Sequence, residues 1–106
     1  MAWIYLLIAG LLEVAWAYSM KLSEAFSRPL PAAATIVLMI ASFALLSISM
    51  RTLPLGTAYT VWTGIGAIGA FIVGIFALGE HASLMRIAAG LLIVAGIVLM
   101  KLSSPN

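Results

Sequence analysis

The chain contains no cysteine, which removes both a disulfide framework and a thiolate metal site. Its one histidine, His81, leaves no set of imidazoles for a conventional zinc or haem centre. Charge is scarce: 8% of the 106 residues are charged, about a third of what a soluble domain uses to cover its surface. The few basic residues are scattered, so no basic run points to nucleic acid. No nucleophile–base pair or metal constellation is apparent, which argues against an enzyme and against a bound cofactor. What remains is hydrocarbon. The chain is 65% apolar with a mean hydropathy of +1.25, and apolar surface in that excess has to face lipid.

Four apolar segments follow from the sequence, at residues 3–20, 30–50, 56–78 and 84–100. Each matches the length needed to cross roughly 30 Å of hydrocarbon at about 1.5 Å per helical residue. Backbone groups in lipid must bond within their own segment, so these are predicted to be helices. Residues 21–29, 51–55 and 79–83 carry the turn and charge signals between them, and 101–106 read as a short polar tail. The first segment lacks the basic n-region of a signal peptide. The expectation is an all-α integral membrane protein, residues 1–106 forming one four-helix domain with no soluble part. Orientation is nearly undetermined. Lys21, Arg28 and Arg86 lie on one side, with Arg51 and Lys101 on the other. Positive charge sets topology by asymmetry, and this balance is compatible with one weakly biased orientation or with insertion both ways.

Glu13 stands near the middle of the first span, where an ionisable side chain costs on the order of 2.5–3.5 kcal/mol to insert. At 100° per residue its helix face also holds Leu6, Ala9, Gly10, Trp16, Ala17 and Met20. Gly10 and Ala17 leave room beside the carboxylate, and Trp16 brings an aromatic wall with one N–H donor. Thr35, Ser42 and Ser49 recur every seven residues along the second span, a spacing equally typical of small packing residues. Only Ser42 lies at the depth of Glu13, where it could orient the carboxylate. In the third span Tyr59, Trp62, Thr63, Gly66 and Ala70 share a face. Tyr59 and Trp62 fit either an interfacial belt or the wall of a cavity. Gly64, Gly66 and Gly69 spell a dinucleotide-like pattern, but with no strand before them they are read as sites of close helix approach or bending. Ala88, Ala89, Gly90, Ala95 and Gly96 mark the fourth span as a packing or dimer helix. Glu80, His81 and Arg86 read as a solvated loop and helix end.

A carboxylate among aromatic faces suits an organic cation, through charge pairing and cation–π attraction. One carboxylate and four helices enclose a solute path poorly, whereas transporters commonly place the site between two inverted halves. An antiparallel homodimer would supply the second half and bring two Glu13 carboxylates together. Such a pair titrates as a coupled unit, so protons and a cation would compete for it and a proton gradient would drive the cation outward. A rotor-type proton subunit would be a two-helix hairpin, which four spans disfavour. A channel would lack obligatory proton exchange.

These residues resemble the small multidrug resistance family along essentially the whole chain. The family pattern appears as Glu13, as Lys21, Ser23, Phe26, Arg28 and Pro31, and as Pro54, Gly56, Ala58, Tyr59, Trp62, Gly64 and Gly66. The resemblance implies a dual-topology antiparallel homodimer that exchanges protons for cations across the bacterial inner membrane. Glu13-Val14-Ala15-Trp16 and Trp62-Thr63-Gly64-Ile65-Gly66 are similar to the guanidinium-exporter subtype. There, matches to Trp16 and Ser42 hydrogen-bond the glutamate and the cation lies against the carboxylates, with Gly10, Ala17, Tyr59, Trp62 and Thr63 expected to line the pocket. The run around Met20, Lys21, Ser23, Glu24 and Phe26 is closer to the quaternary-ammonium exporters. Substrate breadth therefore stays open between guanidinyl cations and quaternary ammoniums.

Overall fold

A computed structural model describes residues 1–103 as four helices. They are α1 (Ala2–Leu22), α2 (Pro29–Ser49), α3 (Leu55–Leu78) and α4 (Leu84–Ser103), all long and apolar enough to cross a membrane. The four expected spans are present, with ends shifted by one to three residues. The largest shift is at α4, which continues through Lys101–Ser103 where a polar tail was expected; residues 104–106 of that tail lie outside the described residues.

Local sequence sets the helix boundaries. Pro29 and Pro31 open α2, and Arg28 before them is extended at φ −101°, ψ 118°, as a residue preceding proline is pushed to be. Gly79 closes α3 in the left-handed region at φ 68°. Between α1 and α2 the chain turns on Ser23, which is fully buried. Its hydroxyl donates to the Met20 carbonyl at 2.7 Å and accepts the Phe26 N–H at 3.1 Å. Three consecutive non-glycine residues in this turn, Glu24, Ala25 and Phe26, have φ of 50°, 62° and 66°. The Ser83 hydroxyl accepts the Arg86 N–H at 3.2 Å and so caps α4, while Arg86 Nη1 reaches the His81 carbonyl.

The helices stand in a row, α2–α1–α3–α4. α1 packs along both α2 and α3, α2 and α3 meet only sparsely, and the α4 backbone approaches that of α3 alone. The row is flat, with Cα extents of 43 × 34 × 16 Å. The buried apolar core is small: Leu6, Ala9, Leu46, Leu53, Ala58, Val61 and Trp62. In lipid, burying a leucine gains no transfer energy over leaving it in the acyl chains, so close packing and interhelical hydrogen bonds must carry association. Glycines provide that closeness. A Cβ at Gly10 of α1 would lie 2.6 Å from Ile65 Cγ2 of α3, and one at Gly64 would lie 2.9 Å from Ile97 Cδ1 of α4. A Cβ at Gly69 would run into Val14. These glycines serve close approach, one of the two readings their spacing allowed. α4 itself contributes no buried residue. At one membrane face Lys101 Nζ sits 4.8 Å above the Trp3 ring centre, joining the ends of α4 and α1 across α3.

Candidate functional site

Glu13 projects from α1 onto Gly66 of α3, and its carboxylate and Cγ occupy the volume a Cβ at residue 66 would need. The side chain is half-buried, and its Oε1 is buried without a hydrogen-bond partner. One turn along the same face, the Trp16 indole N–H is likewise buried and unpartnered. Each such group costs on the order of 1–3 kcal/mol when left unsatisfied and so calls for an explanation; the Trp3 indole N–H, near the start of α1, is a third.

The α2 seam behaves as its spacing predicts, since Thr35, Ser42 and Ser49 are all fully buried. Two of them bond within their own helix: Thr35 Oγ1 donates to the Pro31 carbonyl and Ser49 Oγ to the Leu46 carbonyl. Ser42 alone reaches across. Its hydroxyl donates to the Ala9 carbonyl of α1 at 2.7 Å and accepts the Trp62 Nε1–H of α3 at 3.0 Å. Ala9 lies four residues before Glu13, so its carbonyl is the one at which the Glu13 turn of α1 begins. Ser42 thus holds the helix segment that carries Glu13, and its proton lies on the backbone rather than on the carboxylate.

The expected pocket residues separate into four environments. Trp62 faces α1 and α2 in the core, 6% exposed. Tyr59 and Thr63 line a groove of about 770 Å³ between α3 and α4, in which Glu13 has no part. Ala17 lines a smaller cleft toward the ends of α1 and α3. Gly10 borders no open space, because Ile65 fills the position beside it. A helical wheel places residues within 60° on one face, but a helix wedged between two neighbours divides such a face between them.

Sequence reasoning missed Phe43. Its ring lies 6.3 Å from that of Trp16, nearly edge-on, and 5.7 Å from that of Trp62, and Tyr59 continues the chain at 5.6 Å from Trp62. Phe43 and Tyr59 are 45% and 53% exposed, so this aromatic path opens from the buried indoles toward the membrane. A mid-span aromatic next to Ser42 was the available signal. Glu80 is an exposed loop residue, as its sequence reading has it, and its carboxylate folds back over Gly74, which the sequence does not display.

Four helices long and apolar enough to cross a membrane, with Glu13 inside α1, mark a multi-pass membrane protein, and its family and relatives make it a transporter rather than an enzyme. The sequence model of the Small Multidrug Resistance protein family matches residues 1–94, and the chain belongs to that family. It is 60% identical over 104 residues to proteins named guanidinium exporter from Citrobacter freundii and Salmonella typhimurium, covering 98% of this chain and 99% of each relative. A guanidinium exporter from Escherichia coli K12 is 57% identical over the same coverage. These bacterial relatives assign the chain to the inner membrane.

Proposed function

We propose that this chain exports guanidinium or guanidinyl cations in exchange for protons, as an antiparallel dual-topology homodimer in which both ions compete for Glu13 of the two subunits. The observation that carries this reading is the Glu13 carboxylate, seated on Gly66 within the membrane with a buried oxygen that no donor among the described residues satisfies. A proton neutralises such a group. A planar cation with several N–H donors instead matches two carboxylate oxygens at once, with bonds stronger than neutral ones. Residues of this chain supply the rest: Ser42 and Trp62 fix the turn that bears Glu13, and Trp16 offers its indole beside it. The names of relatives at 57–60% identity support guanidinium as cargo.

A broader quaternary-ammonium exporter is the second reading, favoured by the partly exposed aromatic path from Trp16 through Phe43 to Tyr59. Such cations donate no hydrogen bonds and draw their affinity from aromatic faces. Proteoliposomes with an imposed proton gradient decide between the readings. Guanidinium and phenylguanidinium are expected to drive proton flux while tetrapropylammonium drives none, and Glu13→Gln is expected to abolish the exchange. Transport of tetrapropylammonium alone would move the assignment to the second reading. Undiminished exchange by Glu13→Gln would remove Glu13 from the mechanism.

A further inference from the structure

The chain holds a second carboxylate against α3, built by two glycines. Gly79 adopts φ 68°, and this left-handed cap turns the backbone so that the Glu80 N–H donates to the Gly74 carbonyl at 2.9 Å. The Glu80 side chain is thereby directed back along the helix, and its Oε1 rests over Gly74 where any Cβ would collide. Gly79 is what the α3 C-cap requires in any case; Gly74 is the glycine that the position of the exposed Glu80 carboxylate requires. Here the backbone is shaped to bring the carboxylate to the seam between α1 and α3.

That seam is open at this point. A cleft of about 190 Å³ lies between the last turns of α1 and α3, with Val14 and Ala17 toward its inner end and Tyr18, Lys21 and Glu80 around its mouth. At about 30 Å³ per water this is roughly six waters of space, enough for a cation of four heavy atoms. The inner end adjoins the Glu13 site, since Val14 follows Glu13 in sequence and packs on Gly69. Gly66 and Gly74 sit on the same flank of α3, about 12 Å apart at 1.5 Å per residue. The two carboxylates are therefore successive stops along one helix–helix seam. Lys21 shares the outer one, yet makes no ion pair within 4.0 Å with Glu80 among the described residues.

We propose that Glu80 is an outer binding station for the guanidinium-type cation at the loop-1/loop-3 end of the chain, and that Lys21 is a tethered ammonium competing with the cargo for the same carboxylate. The station rests on the reading of Glu13 as the cation site, for which it is the approach and departure point. A guanidinium leaving Glu13 along the seam meets the Glu80 carboxylate and the Tyr18 ring. When the cation moves into water, Lys21 is within the same cleft to take its place, so the outer carboxylate does not retain the cargo.

The test uses the Glu13→Gln chain in lipid bicelles, titrated with guanidinium chloride while backbone amide shifts are followed. The Gly74 and Glu80 amides are expected to shift saturably, to stop doing so in Glu13→Gln/Glu80→Gln, and to respond to no matching concentration of sodium chloride. Lys21→Met is expected to tighten the residual binding by about two- to fivefold, the worth of one exposed ion pair, and it reads the station even if the Glu80 variant is poorly folded. Equal responses with and without Glu80, or an equal response to sodium, would overturn the proposal. If wild type in proteoliposomes moves guanidinium but the amides do not respond, only the outer station fails. If wild type moves no guanidinium, the function reading fails first.

Discussion

A Cβ on residue 66 would take the volume now held by the Glu13 carboxylate, so Gly66→Ala must displace either that side chain or α3. Overpacking of this kind costs about 1–3 kcal/mol. Because about 1.4 kcal/mol is tenfold in an equilibrium, the variant is expected to lose roughly 5- to 150-fold in guanidinium uptake while retaining wild-type helicity by circular dichroism. The α1–α2 turn offers the opposite kind of residue. Ala25 holds φ 62°, a conformation costing a side-chain-bearing residue about 1–2 kcal/mol, whereas glycine adds about 0.5–1 kcal/mol of chain entropy to lose. The first exceeds the second, so Ala25→Gly is expected to stabilise the folded chain by about 0.5–1 kcal/mol. Unfolding by SDS in mixed micelles measures it. Glu13 was legible in the sequence because an acid in hydrocarbon is conspicuous whatever surrounds it. Glu80 was not, since its inward direction depends on one backbone angle at Gly79 that composition does not display.

At the scale of elements, the α2 seam separates packing from connection. Ser49 returns its proton to its own helix, and Ser42 joins three helices through one oxygen. Ser42→Ala leaves the buried Trp62 N–H without an acceptor, a loss of about 0.5–2 kcal/mol in a membrane setting, whereas Ser49→Ala is expected to be nearly neutral. The same SDS titration should rank the two in that order; equal effects would mean that the seam acts by packing alone. All four helices could be read from the sequence to within three residues, because length and hydropathy dictate spans directly. Their lateral order could not. That α3 divides its small residues, Gly66 and Gly69 toward α1 and Gly64 toward α4, is set by which neighbour lies on each side. This is why Tyr59 and Thr63, which share a face of the third span with Gly66, line a groove against α4 while Gly66 meets Glu13.

For the whole molecule the flat row is the governing fact. A layer 16 Å thick, with α2 and α4 each resting on a single neighbour, leaves both broad faces apolar and the Glu13 seam only half enclosed. The near-equal division of Lys21, Arg28 and Arg86 against Arg51 and Lys101 is what a chain inserting both ways requires. Added lysines in the α2–α3 loop should lock one orientation, and added lysines in the α3–α4 loop the other. Each locked chain is expected to be inactive alone and active when both are co-expressed, as read by guanidinium-dependent proton flux. Full activity of either one by itself would exclude the antiparallel arrangement. The unburied α4 has a consequence for biogenesis. A helix whose backbone approaches α3 alone leaves the translocon with its far side held only by lipid, and in the proposed dimer it would gain its remaining neighbours when a second chain diffuses to it. Assembly is then second order in chain density: a cell making little of this protein would carry mostly idle halves, and its export capacity would climb with the square of expression before it became proportional.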